Sequence, residues 1–366
     1  MNQGQVRKMF PGGNTSQGFF SFYNHIIEPN AKRIFVIKGG PGVGKSTFMR
    51  YIASKMVEKG YDAEFHCCSS DNGSLDGIVI PAKNIALVDG TAPHIVDPKN
   101  PGAVDEIIHL GDFWDEAKIV ANKENILETN ARVGRFFTIA YSRLKEAKVA
   151  HDEWESYVSE GMDFANVNSL GKVLSDEVFS QRNDGSGLGK VRRLFASAIT
   201  PEGLIHYYPT LLKNCKSLFL LEGLPGTGKS TLLSRIVEGA ILRGHFVEEF
   251  HCPFDPSKLD LIIIPALQTA VVNNTHSASL DINTFKNSII KSFDLSTCLN
   301  DLHHEQYKEE CNSAKKRFEN NLNGAVEYIR RAKQEHDLME TYYIPAMDFK
   351  AINAKREEVL NRILKY

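Results

Sequence analysis

The stretch GGPGVGKST at residues 39–47 returns 184 residues later as GLPGTGKST at 223–231. Few short motifs constrain a chain more. The pattern G-x-x-x-x-G-K-[ST] joins a buried strand to a helix, and its glycines let the backbone wrap around phosphate oxygens with successive N–H groups turned inward. The helix that follows adds the positive end of its dipole. Both copies have the required context. IFVI and LFLL precede them, unbroken apolar runs suited to a parallel strand covered on both faces. After them, Phe48, Met49, Ile52, Ala53, Met56 and Val57 recur at helical spacing, as do Leu232, Leu233, Ile236, Val237, Ala240 and Ile241. Gly60 and Gly244 then stand where a left-handed residue ends a helix.

The same offset recurs along the chain, the signature of a tandem duplication. SLDGIVIPA matches KLDLIIIPA, pairing Asp76 and Pro81 with Asp260 and Pro265. HDEWESYVSEGMDFANVN matches HDLMETYYIPAMDFKAIN, pairing His151, Glu155, Tyr157, Asp163 and Asn168 with His336, Glu340, Tyr342, Asp348 and Asn353, now at an offset of 185. The lead-ins pair Phe10, Thr15 and Gly18 with Phe195, Thr200 and Gly203. The polar, glycine-rich SQRNDGSGLGK at 180–190 reads as the join, which places one unit at 1–185 and the second at 186–366. Each unit is expected to be an α/β P-loop nucleoside-triphosphatase domain with a mainly parallel sheet and an appended helical segment. Those segments, about 112–170 and 296–366, are rich in Glu, Lys, Ala and Leu and read as long helices, as antiparallel hairpins in a lid, an arm or plain packing.

The motif assigns roles by position. Gly39, Gly40, Pro41, Gly42, Val43, Gly44, Lys45, Ser46 and Thr47 form the first nucleotide loop; Gly223, Leu224, Pro225, Gly226, Thr227, Gly228, Lys229, Ser230 and Thr231 form the second. Lys45 and Lys229 reach for the β- and γ-phosphates, and Ser46 and Ser230 offer hydroxyls to Mg²⁺. An acid at the end of a neighbouring strand usually completes the metal site. In the first half, IALVDG supplies Asp89; in the second, TAVVNN puts Asn273 in its place. Asn carries no charge, so the second site is expected to hold Mg²⁺ more weakly or to depend on Asp255 or Asp260, the counterparts of Asp71 and Asp76. No Asp-Glu pair marks a base for the attacking water; Asp71, Asp76 and His94 are the nearest polar residues. Arg7 and Arg192, also matched at 185, are candidates to meet a γ-phosphate from the neighbouring half.

Other features carry less. FHCC at 65–68 and FHC at 250–252 combine His with Cys, but adjacent side chains alternate across a strand and no C-x-x-C is present, so a buried strand end is favoured over zinc. The charge of −2 argues against a coat for nucleic acid or an anionic membrane. No run approaches the length of a membrane span, MNQGQVRKMF lacks a secretory core, and six cysteines in 366 residues do not make a disulfide framework. A cytoplasmic setting is expected.

The doubled loops, the HC…D…SLDGIVIPA and VDGTAPH stretches and the repeated MDF resemble a bacterial family of tandem P-loop ATPase-like proteins seen mostly in spore-forming Gram-positive lineages, over nearly the whole chain. The resemblance implies a P-loop fold and ATP binding with no settled substrate. The expected function is Mg²⁺-dependent ATP hydrolysis coupled to movement between the halves of an intramolecular pseudo-dimer, acting on a protein or small-molecule partner that the sequence does not name. A kinase and a slowly hydrolysing nucleotide switch are the competing readings.

Overall fold

The computed structural model describes residues 3–92, 95–180, 184–274 and 280–366, so His94 and part of the join lie outside the described residues. In the first half the strands are β1 (Val6–Met9), β2 (Gly12–Thr15), β3 (Gly18–Ser21), β4 (Arg33–Lys38), β5 (Ala63–Cys67), β6 (Leu75–Ile80), β7 (Ile85–Asp89) and β8 (Asp105–His109). The helices are α1 (Lys45–Glu58), α2 (Glu116–Val120), α3 (Lys123–Glu160) and α4 (Phe164–Val178). The second half repeats the series with β9 (Val191–Leu194), β10 (Ser197–Thr200), β11 (Gly203–His206), β12 (Ser217–Glu222), β13 (Val247–His251), β14 (Leu259–Ile264), β15 (Thr269–Asn273) and β16 (Ile289–Asp294). Its helices are α5 (Tyr208–Leu211), α6 (Lys229–Leu242), α7 (Asp301–Gln306), α8 (Lys308–Tyr343) and α9 (Phe349–Lys365).

Two six-stranded mixed sheets result, ordered β1-β5-β6-β7-β4-β8 and β9-β13-β14-β15-β12-β16. In each, the third strand runs antiparallel to both neighbours and the other pairings are parallel. The loop-bearing strands β4 and β12 are second from one edge. Their apolar runs are buried on both faces: Phe35 and Ile37 enter one cluster and Val36 another, and Phe219 and Leu221 part from Leu218 and Leu220 in the same way. α1 buries the six residues its spacing predicts and closes on Gly60 at φ 88°; α6 closes on Gly244 at φ 77°.

The halves are interlocked. Ile352, Val359, Leu360 and Ile363 of α9 belong to the hydrophobic core of the first sheet. Val167, Leu174 and Val178 of α4 belong to the core of the second. Each arm therefore completes the other half's core, and the repeat boundary in sequence is not a boundary in packing. α3 and α8 are not hairpins within their halves. They pair antiparallel with each other through Arg132–Glu335, Arg143–Asn321 and Arg317–Glu153, around a seam of Ala140, Leu144, Ala325 and Ile329. At 38 residues, α3 is about 57 Å long.

The edge strands β1 and β9 also meet. Phe10 and Phe195 form an antiparallel bridge, and Arg7, Arg192, Glu64 and Glu248 make a buried ion quartet across it. Arg7 donates to Glu248 Oε2 at 2.6 Å, and Arg192 to Glu64 Oε2 at 2.6 Å. Burial pushes the Glu64 carboxyl up, but the charge of Arg192 and its hydrogen bonds win and hold it well below the usual carboxylate range. Arg7 and Arg192 are thus committed to the join between the halves. β1 lies four strands from β4, roughly 19 Å at the usual spacing, so neither arginine meets a loop.

Candidate functional site

Each glycine loop leaves the end of its strand and enters its helix as the motif requires. Gly42 and Gly44 have φ of 68° and 89°, left-handed conformations that aim consecutive N–H groups to one side. Gly44 precedes α1, which starts at Lys45, so the helix's unpaired N–H groups open into the same concavity. The Lys45 ammonium folds back over the loop, donating to the carbonyls of Gly39 and Gly40 at 2.9 and 2.8 Å. Lys229 donates likewise to Gly223 and Leu224 at 2.7 and 2.6 Å. Ser46 and Ser230 begin the helices facing β6 and β14. Their hydroxyl oxygens accept the N–H of Leu75 and Leu259 at 3.0 and 2.8 Å.

The acid expected beside the first loop is in place. Asp89 ends β7 in register with Ile37 of β4, and its Oδ2 is 3.6 Å from Lys45 Nζ. Its Oδ1 accepts the N–H and hydroxyl of Thr91. Behind it, Asp76 is fully buried. Burial and the neighbouring charge of Asp89 raise its pKa to about 7, against the pull of a hydrogen bond from Tyr23. At the second loop Asn273 holds the equivalent register, opposite Leu221, and donates to Asp260 at 3.0 Å. Burial raises Asp260 to about 6, with the Asn273 amide opposing. Beside Lys229, Asn273 takes the register from which Asp89 offers Lys45 a carboxylate at 3.6 Å, and burial lowers the Lys229 pKa to about 8.

Asp71 and Asp255 stand apart from these groups in the turns after β5 and β13. They accept from Ser74 and Ser257 at 2.6 Å and face Lys333 and Lys148, each on the other half's arm. The histidines and cysteines of FHCC and FHC do not assemble a metal site. His66 Nε2 faces Glu64 at 3.4 Å, His251 Nδ1 faces the Pro256 carbonyl at 2.7 Å, and all six cysteines are free thiols.

The residues that sequence reasoning did not place are those of the crossed arms. The recurring H-x-x-x-E of α3 and α8 lies on the opposite half's loop. Glu340 Oε1 accepts the N–H of Gly42 at 3.2 Å, so a carboxylate sits on the loop's own anion cradle. A Cβ on Gly40 would lie 2.9 Å from the Tyr343 ring. At the second loop the Glu155 backbone presses closer still: a Cβ on Gly226 would lie 2.5 Å from its carbonyl oxygen. The Glu155 carboxylate turns to Lys258, Nζ to Oε1 2.6 Å, where the first half has Ser74. The repeated MDF completes the pattern. Asp348 and Asp163 cap α9 and α4, and Phe349 and Phe164 come within 3.7 Å of a Cβ placed on Gly44 and Gly228. The signal was the 185-residue recurrence; what it lacked was the destination.

Among the described residues no helix is long and apolar enough to cross a membrane. Compared with protein-family models, with curated proteins and with solved structures, the chain finds no match. The family resemblance rests on the motifs alone.

Proposed function

We propose that the chain is a Mg²⁺-dependent ATP-binding protein, two P-loop NTPase domains in tandem, and an ATPase whose turnover moves the halves against each other. One observation carries the reading: the Glu340 carboxylate accepts a hydrogen bond from the Gly42 N–H, so the first loop already receives an anion where a phosphate oxygen would bind. Gly39–Thr47 would hold the phosphates through backbone N–H groups and Lys45. Ser46 and Asp89 would hold Mg²⁺, which neutralises charge on the phosphates. A phosphate and Glu340 cannot share one N–H. Filling the first loop therefore displaces the Glu340 carboxylate and loosens the hold of α8 on the loop, and α8 packs on α3 along their common seam. That competition supports coupling between the halves.

A different role fits the second loop. Gly223–Thr231, with Lys229 and Ser230, has the same phosphate-holding parts. Asn273 gives it no anionic metal ligand in register, and Lys258 holds the arm's carboxylate. These features favour retention of nucleotide over turnover, the slow-switch reading applied to one half.

Calorimetric titration with Mg·ATP tests the binding claim. Two nucleotides per wild-type chain are expected, and one in each of Lys45→Ala and Lys229→Ala. Absence of binding to the folded wild-type chain would end it.

A further inference from the structure

We infer that the second loop takes its nucleoside triphosphate without a metal ion, as the free polyphosphate anion, and that the Lys258 ammonium supplies there the charge that Mg²⁺ would supply at the first loop. The inference deepens the proposed reading of both loops as phosphate cradles and rests on it. The residues that suit a metal at the first loop are Ser46 and Asp89, whose carboxylate stands 3.6 Å from Lys45. Their counterparts at the second loop do not suit one. Asn273 holds the register of Asp89 with an uncharged amide, and that amide donates to Asp260 at 3.0 Å. Asp255, the other candidate acid, accepts from Ser257 and faces Lys148.

Lys258 stands at the metal end of the cradle. The N–H of Leu259, one residue on, donates to Ser230 Oγ at 2.8 Å, and Ser230 is the hydroxyl that the motif turns to Mg²⁺. From there the Lys258 ammonium reaches Glu155 Oε1 at 2.6 Å. The Glu155 backbone in turn lies on the loop, its carbonyl oxygen 2.5 Å from a Cβ built on Gly226. The Lys229 ammonium registers the same groups. Burial lowers its pKa most, the charges of Glu155 and Asp260 oppose, and Lys258 lowers it further. The Glu155 carboxylate thus acts on both lysines beside the loop, as a phosphate oxygen bound there would.

The first half differs at the same two positions. Ser74 takes the place of Lys258, and its hydroxyl donates to Asp71 at 2.6 Å. The next residue, Leu75, donates to Ser46 Oγ at 3.0 Å, so the backbone frame is the same. Lysine for Ser74 adds one positive charge, and asparagine for Asp89 removes one negative charge. Together they make the second cradle more positive by two charges, the charge of one Mg²⁺ ion. Lys38 and Glu222, the residues before the loops, also differ in charge, but they are held elsewhere. Lys38 donates to the Gly90 carbonyl and Asp97, and Glu222 accepts from Asn274 and Ser292. A triphosphate needs its charge neutralised wherever it binds. The first loop has one lysine with an acid beside it and leaves that work to the metal; the second has a lysine more and an acid fewer.

The test is calorimetric titration with ATP in EDTA beside titration with Mg·ATP. A Lys45→Ala chain isolates the second loop, and a Lys229→Ala chain the first. The second loop is expected to bind ATP in EDTA within about threefold of Mg·ATP, while the first loses its ATP. Lys258→Ser in the Lys45→Ala chain is expected to weaken ATP in EDTA about tenfold, the scale of one hydrogen bond to a charged group, and Mg·ATP only a few-fold. Lys258→Arg, which keeps the charge, should bind ATP in EDTA as its parent does. Loss of ATP from the second loop in EDTA, or equal effects of Lys258→Ser on both forms, would overturn the metal-free site while leaving the loop reading intact. If neither form binds the Lys45→Ala chain, or adding Lys229→Ala leaves its binding untouched, the loop reading fails and the metal-free site goes with it. Lys258 lies between β13 and β14 and is about a third exposed, so its truncation is mild for the fold, and the melting temperature of each variant checks this.

Discussion

The two loops share backbone and lysine geometry but differ in what surrounds them. The first has Asp89 beside Lys45, and the arm's Glu340 rests on the Gly42 N–H. The second has Asn273 tied to Asp260 and Lys258 holding Glu155. A duplicated fold keeps its anion cradle because strand, glycines and helix dipole make it together. The acid beside the lysine and the arm's charge partner are single side chains that each copy can change alone. The difference is the ground for the proposal that the first copy does chemistry and the second holds its ligand.

The quartet Arg7–Glu248 and Arg192–Glu64 is where the halves agree, and it gives the largest expected effect. Arg7→Leu and Arg192→Leu each take from a buried carboxylate its nearer arginine and leave it only the farther one, at 3.7 Å for Glu248 and 3.4 Å for Glu64, and should cost about 3 kcal/mol in denaturant unfolding. Since the arginines do not reach the loops, ATP stoichiometry should hold in whatever fraction stays folded; loss of one specific site on substituting one arginine would restore the cross-half arginine. The same quartet sets an acid limit. Glu64 has a depressed native pKa, so its contribution is complete above the ordinary carboxylate value near 4.5 and is lost as pH falls below it. Melting temperature should fall on acidification below about pH 4 in the wild type, and less steeply in Glu64→Gln.

Asp89→Asn makes the first loop resemble the second. Phosphate release should drop about a hundredfold, the usual scale for removing one charge-stabilising group. An unchanged rate would move the metal acid elsewhere, Asp76 first. Next comes the arm. Glu340→Gln weakens the carboxylate's hold on the Gly42 N–H and should raise ATP affinity at the first loop about tenfold, read in a Lys229→Ala background; weaker binding would make Glu340 a helper instead of a competitor. The smallest effect is expected from Lys258→Ser, which gives Glu155 the first half's neighbour. A charge pair exposed by about a third, as Lys258 is, contributes little, so a change of a few-fold at the second loop is expected.

Much of this was legible in the residues. The alternation of apolar runs, glycines and a six-residue helical stripe determined β4, α1, β12 and α6, because local periodicity and loop chemistry point the same way there. Asp89 was legible as a strand-end acid, and the Asn273 difference stood in plain view. Fold-level placement was not. His151, Glu155, His336 and Glu340 recur at a constant offset, but nothing in one chain says that α4 belongs to the core of Leu232 and Ile236, or α9 to that of Phe48 and Ile52. Burying α4's apolar face satisfies the same hydrophobic demand on either half, and only the packing chooses. Arg7 and Arg192 misled for a related reason: an arginine matched between copies is as well explained by a charge partner across the join as by a phosphate.

The central claim is that the copies divide their work, and the most direct measurement is phosphate release from Mg·ATP by the purified wild-type chain beside Lys45→Ala and Lys229→Ala. The account predicts release by the wild type, its loss in Lys45→Ala, and much of it kept in Lys229→Ala. Equal loss in both variants, or no release by a wild type that binds ATP, would contradict it.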